Sequence, residues 1–230
     1  MTITFYLDFI SPYTWLALMQ SESFAGEHDI DWDLRPVVYA ALLDAHGLVG
    51  PAETKAKRRY TFHDITRLAQ AQGLKFAGPP SHPFRSIEAL RTLFLFREDP
   101  QALELAIRLS NACWGEGRDL TDPGVLRAVV DEVELDAANL EQRISTPETK
   151  HGLRALTEDA IARGVFGVPT FLHGKEMFWG HDRLDQLAAS LAGEMPPVTE
   201  KAEAVLRRPR GADRKKSPVR RGEPGKVKFD

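Results

Sequence analysis

The sequence predicts an α/β protein in which a β-α-β opening and a β-β-α closing segment flank a long, all-helical stretch. Three observations carry this. Residues 1–38 hold two strand-like runs around one helix-like run. Residues 39–163 show almost no alternation of apolar and polar positions and are dominated by Ala, Leu, Arg and Glu. Within residues 164–194 the strand pattern returns and is followed by one short amphipathic run.

The elements follow in order. Thr2–Phe9 (TITFYLDF) is rich in β-branched and aromatic residues, lacks Gly and Pro, and reads as a buried strand. Ser11-Pro12 then supplies an N-cap and a first-turn proline. Tyr13–Phe24 is a helix with apolar positions at Trp15, Leu16, Leu18, Met19 and Phe24, and Gly26 is its expected stop. Ile30–Val37 alternates as a second strand, and a crossover of this length makes the two strands parallel neighbours. Breaks at Gly47–Pro51, Gly73–Pro83, Pro100, Gly115–Pro123 and Thr146-Pro147 divide the middle into helices over about 54–72, 84–97, 101–114, 122–132, 136–144 and 147–163. Asp99-Pro100, Thr121-Asp122-Pro123 and Ser145-Thr146-Pro147 have the residue types of helix starts. Val168–His173 and Lys175–Trp179 form a hairpin about Gly174. Leu184–Leu191 closes the fold, with Asp182 as its N-cap.

With 230 residues, 43% hydrophobic and 27% charged, the chain can bury a sizeable core, which excludes a mostly disordered, collagen-like or fibrous protein. The net charge of −3 is unevenly spread: residues 1–195 hold 19 Lys and Arg against 28 Asp and Glu, residues 196–230 hold 11 against 5. An acidic body argues against general nucleic-acid binding. Residues 195–230, with few apolar side chains, read as a flexible basic tail. Its charge serves either to solvate the chain or to touch nucleic acid or an acidic partner, and 202–208 has the composition of a short helix. The single cysteine, Cys113, excludes an internal disulfide, a CxxC redox pair and a cysteine-based zinc site. No apolar run approaches the roughly 18 residues of a membrane span. The N-terminus lacks a basic region ahead of its apolar residues and carries Asp8 and Pro12, so no signal peptide is expected and the location is cytoplasmic.

Three stretches carry candidate chemistry. Ser11-Pro12-Tyr13 lies at a strand-to-helix junction, where unpaired N–H groups and the helix dipole favour an anion; the hydroxyl either caps the helix or donates to that anion. Val168-Pro169-Thr170 puts a proline inside a strand pattern. Either it marks an edge, or a cis bond turns the backbone of Val168 outward to pair with an extended peptide. Trp179-Gly180-His181-Asp182-Arg183 brings a carboxylate and a guanidinium to a helix start. Either these are an N-cap Asp and a surface Arg, or Asp182 holds the ammonium and nearby N–H groups the carboxylate of a free α-amino-acid end. The topology brings all three to one edge of the sheet. His63, His82, His151, His173 and His181 show no metal-ligand spacing, and no metal is expected.

Strand–Ser-Pro-Tyr–helix, the Phe166–Phe171 run (FGVPTF) and the Phe178–Leu184 run (FWGHDRL) together resemble the 2-hydroxychromene-2-carboxylate isomerase family. That family belongs with the kappa-class glutathione transferases and the thioredoxin-like disulfide oxidoreductases carrying a helical insertion. Gly47–Pro51 and Asn111–Gly117 are similar to it as well, and the resemblance covers about residues 1–193. It implies a thioredoxin-like unit formed by 1–38 and 164–194, a helical insertion domain at 39–163, bound glutathione and a homodimer. Ser11 would take the place of a redox cysteine and hydrogen-bond the glutathione sulfur. Val168, before a cis Pro169, would pair with the cysteinyl backbone. His181 and Asp182 would hold the γ-glutamyl end, with Arg183 supporting, and Lys57 would lie near the glycyl carboxylate.

The implied activity is a glutathione-dependent isomerase of 2-hydroxychromene-2-carboxylate or a related unsaturated aromatic α-keto acid, in aromatic catabolism. Its thiolate would add reversibly to the substrate. Tyr13 and Leu48 are candidate substrate contacts; the family commonly has Asn where Leu48 stands, which makes the pocket more apolar. Lys57, Arg85 and Arg91 are candidate partners for a substrate carboxylate; His82, Arg85 and Arg91 either serve an anionic substrate or, as their sequence context favours, sit on solvated helix faces. The alternatives are a kappa-class-like transferase or peroxidase on the same site, and a non-catalytic binding protein docking through its tail. A disulfide oxidoreductase is disfavoured by the absence of cysteine at position 11.

Overall fold

The structure is a computed structural model and describes residues 1–209 and residue 211. Thr2–Leu7 (β1) is followed by Pro12–His28 (α1) and Asp31–Pro36 (β2), and β1 and β2 pair in parallel from Thr2 opposite Asp31 to Leu7 opposite Pro36. The chain then runs through Tyr39–His46 (α2), Lys55–Ala71 (α3), Ile87–Phe96 (α4), Ala102–Trp114 (α5), Pro123–Glu132 (α6), Leu140–Ile144 (α7) and Pro147–Ala162 (α8). Thr170–His173 (β3) and Glu176–Trp179 (β4) form an antiparallel hairpin turned at Gly174, whose φ of +61° favours glycine. Leu184–Leu191 (α9) and Glu200–Leu206 (α10) follow. Because β3 is antiparallel to β1, the sheet order is β2-β1-β3-β4. This is the expected thioredoxin-like βαβ…ββα arrangement with a large helical insertion.

The sheet supplies Ile3, Phe5 and Leu7 to a core that continues without a break through Trp15, Leu16 and Leu18 of α1 into Leu105, Leu109 and Trp114 of α5. Phe5 and Phe171 face each other across β1 and β3 with ring centroids 4.6 Å apart. On the opposite face, Tyr6, Val37 and Leu172 pack with Ala160 and Val165. There α8 is also tied to the sheet by charge: Asp159 accepts from Tyr6 Oη at 3.1 Å, Arg35 Nη1 at 2.8 Å and Arg163 Nε at 2.9 Å. Among the described residues no helix is long and apolar enough to cross a membrane.

Several boundaries differ from expectation for local reasons. β1 ends at Leu7 because the Asp8 carboxylate folds back to accept the Ile10 N–H at 3.0 Å. Gly26 does not stop α1; the left-handed position falls at Asp29, φ +51°, whose N–H caps the Ala25 carbonyl. Helix α2 was not expected, since Val38 gives it no side-chain cap; its end is marked by Gly47 at φ +63°. α4 starts only at Ile87, after a cis His82–Pro83 bond. The helix expected over 136–144 shrinks to α7 because Asn139 is left-handed, φ +53°. Asp182 does not cap α9: it lies in a one-turn 3₁₀ helix, His181–Arg183, and Arg183 holds the N-cap position without a side-chain bond. Part of the expected tail helix is present as α10, fully exposed; the character expected of the tail at 210 and 212–230 lies outside the described residues.

Trp114 joins the insertion to the sheet unit, fully buried, with its indole N–H donating to the Phe9 carbonyl at 2.8 Å. Trp114→Phe leaves that buried carbonyl unpaired and a small cavity beside it. Urea unfolding is expected to show a loss of about 2–4 kcal/mol, with an unchanged far-ultraviolet circular dichroism spectrum.

Candidate active site

The loop from Asp8 to Tyr13 is fixed by partners distant in sequence. Asp8 is buried at 2% exposure and accepts from the N–H groups of Ile10 and Tyr39, the latter at 2.9 Å. Burial pushes its pKa up, while hydrogen bonds from Ser86, Tyr39 and Ile10 pull it back. The Phe9 carbonyl is held by Trp114, and the Ile10 carbonyl by His82 Nε2 at 3.2 Å, which makes Nε2 the protonated nitrogen.

Ser11 follows as the N-cap of the 17-residue α1. Its Oγ accepts from the Thr14 N–H at 3.3 Å and donates to the Val168 carbonyl at 3.2 Å. Val168 stands two residues ahead of β3, outside the ladder, and its peptide bond to Pro169 is cis. The Pro169 carbonyl in turn accepts from the Gly180 N–H at 2.9 Å, which anchors the His181–Arg183 turn beside it. Gly180 sits at φ +114°, and a Cβ there would strike the Asp182 carboxylate, so only glycine fits.

These contacts bring Ser11, Tyr13, Val168, Pro169, His181 and Asp182 onto one cavity of about 420 Å³, with Arg183 at its edge. The facing wall comes from the insertion: Tyr39, Pro51, Ala52, Thr61, Asp64 and His82. Trp179 closes one side, half exposed, its indole so near Gly167 that a Cβ there would collide with it. Tyr13 Oη donates to Asp64 Oδ2 at 2.8 Å. Burial, helped by Asp64, holds the phenol pKa well above the ordinary tyrosine value. Its proton is therefore committed to Asp64. The His181 ring stacks on Tyr13 with centroids 5.3 Å apart and planes 13° from parallel. Burial lowers the pKa of His181 against the opposing pull of Asp182 and Asp64, and lowers that of His82 against its bond to Ile10. Both imidazoles are neutral at neutral pH.

The remaining candidates lie elsewhere. Lys57 is exposed on α3, four residues before Thr61 and seven before Asp64, hence on the stripe of that helix nearest the cavity without lining it. Leu48 is 46% exposed just past the end of α2, where its N–H bonds back to the Leu43 carbonyl. The apolar wall comes instead from Ile10, Tyr39, Pro51 and Ala52. Arg85 pairs with Glu88 at 3.0 Å and Arg91 is buried in α4; neither lines the cavity. His82 is not on a solvated helix face: it is half-buried in a loop against Phe62 and Trp114. Asp64 and Thr61 were not anticipated, although with Lys57 they form an i, i+4, i+7 polar stripe in the sequence. Among the described residues no group of three or more His, Cys, Asp or Glu side chains could hold a metal ion.

A family model described as a DsbA-like thioredoxin domain matches residues 2–192. The 2-hydroxychromene-2-carboxylate isomerase of Pseudomonas putida is 30% identical over 193 residues, covering 83% of this chain and 94% of that protein. The chain belongs to the DsbA-like thioredoxin family that includes these isomerases. Glutathione S-transferase kappa 1 of Homo sapiens matches this DsbA-like chain at 28% identity over 215 residues, covering 86% of the chain and 95% of the relative. A solved structure of 2-hydroxychromene-2-carboxylate isomerase superposes with a TM-score of 0.78 at 28% identity, covering 90% of this chain and 99% of that one. The family resemblance carried by the Ser-Pro-Tyr, FGVPTF and FWGHDRL motifs is borne out.

In this DsbA-like chain Ser11 holds two parts of the backbone together. Ser11→Ala removes both the acceptor for Thr14 N–H and the donor to Val168. A loss of about 1–2 kcal/mol is expected in chemical denaturation without ligand.

Proposed function

We propose that the chain is a glutathione-dependent isomerase acting on 2-hydroxychromene-2-carboxylate or a related unsaturated aromatic α-keto acid. The observation that carries this reading is the cap of α1. A serine hydroxyl there reaches the backbone of Val168 within a cavity that also holds Asp182, His181 and Arg183. The residues fit glutathione by their chemistry. Val168 lies outside the sheet ladder, where its N–H and C=O suit the cysteinyl amide. Asp182 suits an α-ammonium, and the helix N-terminus at Ser11 suits a negative sulfur.

When bound, glutathione supplies a nucleophilic thiolate for reversible addition to the unsaturated carbon. The chain's part is to hold that charge and orient its bearer. Ser11 Oγ turns its proton from the Val168 carbonyl toward the sulfur, while the Thr14 N–H continues to donate to Oγ. The freed Val168 carbonyl then accepts the cysteinyl N–H. The helix N-terminus lowers the energy of the anion. Tyr13 cannot take this part, because its O–H already donates to Asp64. In this reading residues 1–38 and 164–194 bind glutathione, and 39–163 supply the wall that faces the second substrate.

A second reading, a kappa-type glutathione transferase for an uncharged electrophile, is favoured by one observation. Among the described residues Arg183 is the only Lys or Arg lining the cavity, and it already pairs with Asp182 at 3.4 Å. The wall of Ile10, Tyr39, Pro51, Ala52 and neutral His82 offers no charge to a carboxylate. Assaying glutathione-dependent isomerisation of a hydroxychromene carboxylate beside conjugation of chlorodinitrobenzene separates the two; activity only on the latter overturns the first reading.

Under either reading Ser11→Ala is expected to cut glutathione-dependent turnover more than tenfold, about what a hydrogen bond to a charged group contributes. It should also raise the pKa of the bound thiol, followed by thiolate absorbance. Asp182→Ala is expected to weaken glutathione binding about fivefold, the upper range for an ion pair at a side chain more than half exposed, while kcat at saturation changes less. Titration calorimetry and steady-state kinetics check the pair.

A further inference from the structure

Asp64 lies on α3, inside the insertion, yet stands on the cavity wall. Its Oδ2 accepts from the Tyr13 phenolic O–H at 2.8 Å. Tyrosine has two side-chain torsions, so anchoring its oxygen restrains the whole ring. On that ring lies His181, nearly parallel at 5.3 Å and 13°. Because burial keeps the imidazole neutral, this is contact of ring upon ring rather than cation upon ring. His181 opens the short turn that carries Asp182 and Arg183. A continuous set of contacts thus runs from α3 through α1 to the turn beside β4.

We infer that Asp64 is a positioning residue for the γ-glutamyl end of glutathione, acting through Tyr13 and the His181 ring stacked on it. The inference rests on the glutathione reading above and deepens it: one wall of the subsite belongs to the insertion. Tyr13 then serves as a fixed wall rather than a proton donor. The competing role for Asp64 is direct contact with the γ-glutamyl ammonium. The two roles differ in what Tyr13 contributes.

Titration calorimetry with glutathione at neutral pH, beside thermal unfolding, separates them. Asp64→Ala is expected to weaken glutathione binding about tenfold. Tyr13→Phe should cost about the same, and the double variant no more than either, because both cut one link. Asp64→Asn, whose amide oxygen still accepts the phenolic proton, should stay within about threefold of wild type. Wild-type affinity in Asp64→Ala overturns the inference, even if its unfolding midpoint falls. Full affinity in Tyr13→Phe also overturns it, as does an Asp64→Asn variant as weak as Asp64→Ala; either points to direct contact with the ammonium. Should Asp64→Ala not fold, Tyr13→Phe and Asp64→Asn carry the test. No uptake of glutathione by wild type at millimolar concentration overturns the parent reading along with the inference, whereas the other outcomes leave the parent reading standing.

Discussion

The hydrogen bond from Ser11 Oγ to the Val168 carbonyl joins residues 157 positions apart across 3.2 Å. It holds the start of α1 against the segment that leads into β3, and the cavity lies where they meet. Both ends are fixed by other means. Ser11 is the cap of α1, and the loop before it is pinned at Asp8, Phe9 and Ile10. Val168 precedes a proline whose carbonyl is tied to Gly180. Little conformational freedom remains in the backbone on either side of the cavity.

The clamps on this loop come from four separate elements of the insertion or its connections. Tyr39 begins α2, Asp64 lies on α3, His82 sits in the loop before α4 and Trp114 ends α5. The insertion therefore does more than roof the sheet unit, because it sets the backbone and rings of residues that face the cavity. Its hydrophobic core is continuous with that of the sheet through α1 and α5, so moving one part displaces the other. On the far side, Asp159 performs a similar service for β1 and β2, where Tyr6 and Arg35 converge on one carboxylate of α8.

The electrostatics of the cavity follow from burial more than from formal charge. Both histidines on its wall are driven toward neutrality, and the Tyr13 phenol is held protonated. Charge is left at Asp64, Asp182 and Arg183, while Ile10, Tyr39, Pro51 and Ala52 line the same cavity without charge.

The sequence by itself determined the order of elements, the cap at Ser11 and the three segments that meet, because each is marked by residues whose backbone or hydrogen-bonding preferences act locally. A serine ahead of a first-turn proline has the residue types of a helix start, and alternating strand residues need one face buried. Helix α2 escaped because its start lacks a capping side chain, and the left-handed Asp29 and Asn139 moved boundaries that glycine or continued periodicity had suggested. Only the tertiary structure decided the wall opposite Ser11. Asp64, Thr61 and His82 carry no local mark, since an acidic, a hydroxyl and an imidazole side chain on or near a helix serve solvent as well as a site. What selects them is the packing of α3 and the loop before α4 against α1. That packing also excludes Leu48, Arg85 and Arg91, whose residue types suited the role but whose positions point elsewhere. Side-chain chemistry is written residue by residue, whereas the meeting of side chains 51 positions apart, as in Tyr13 and Asp64, is fixed only when the core between their helices closes.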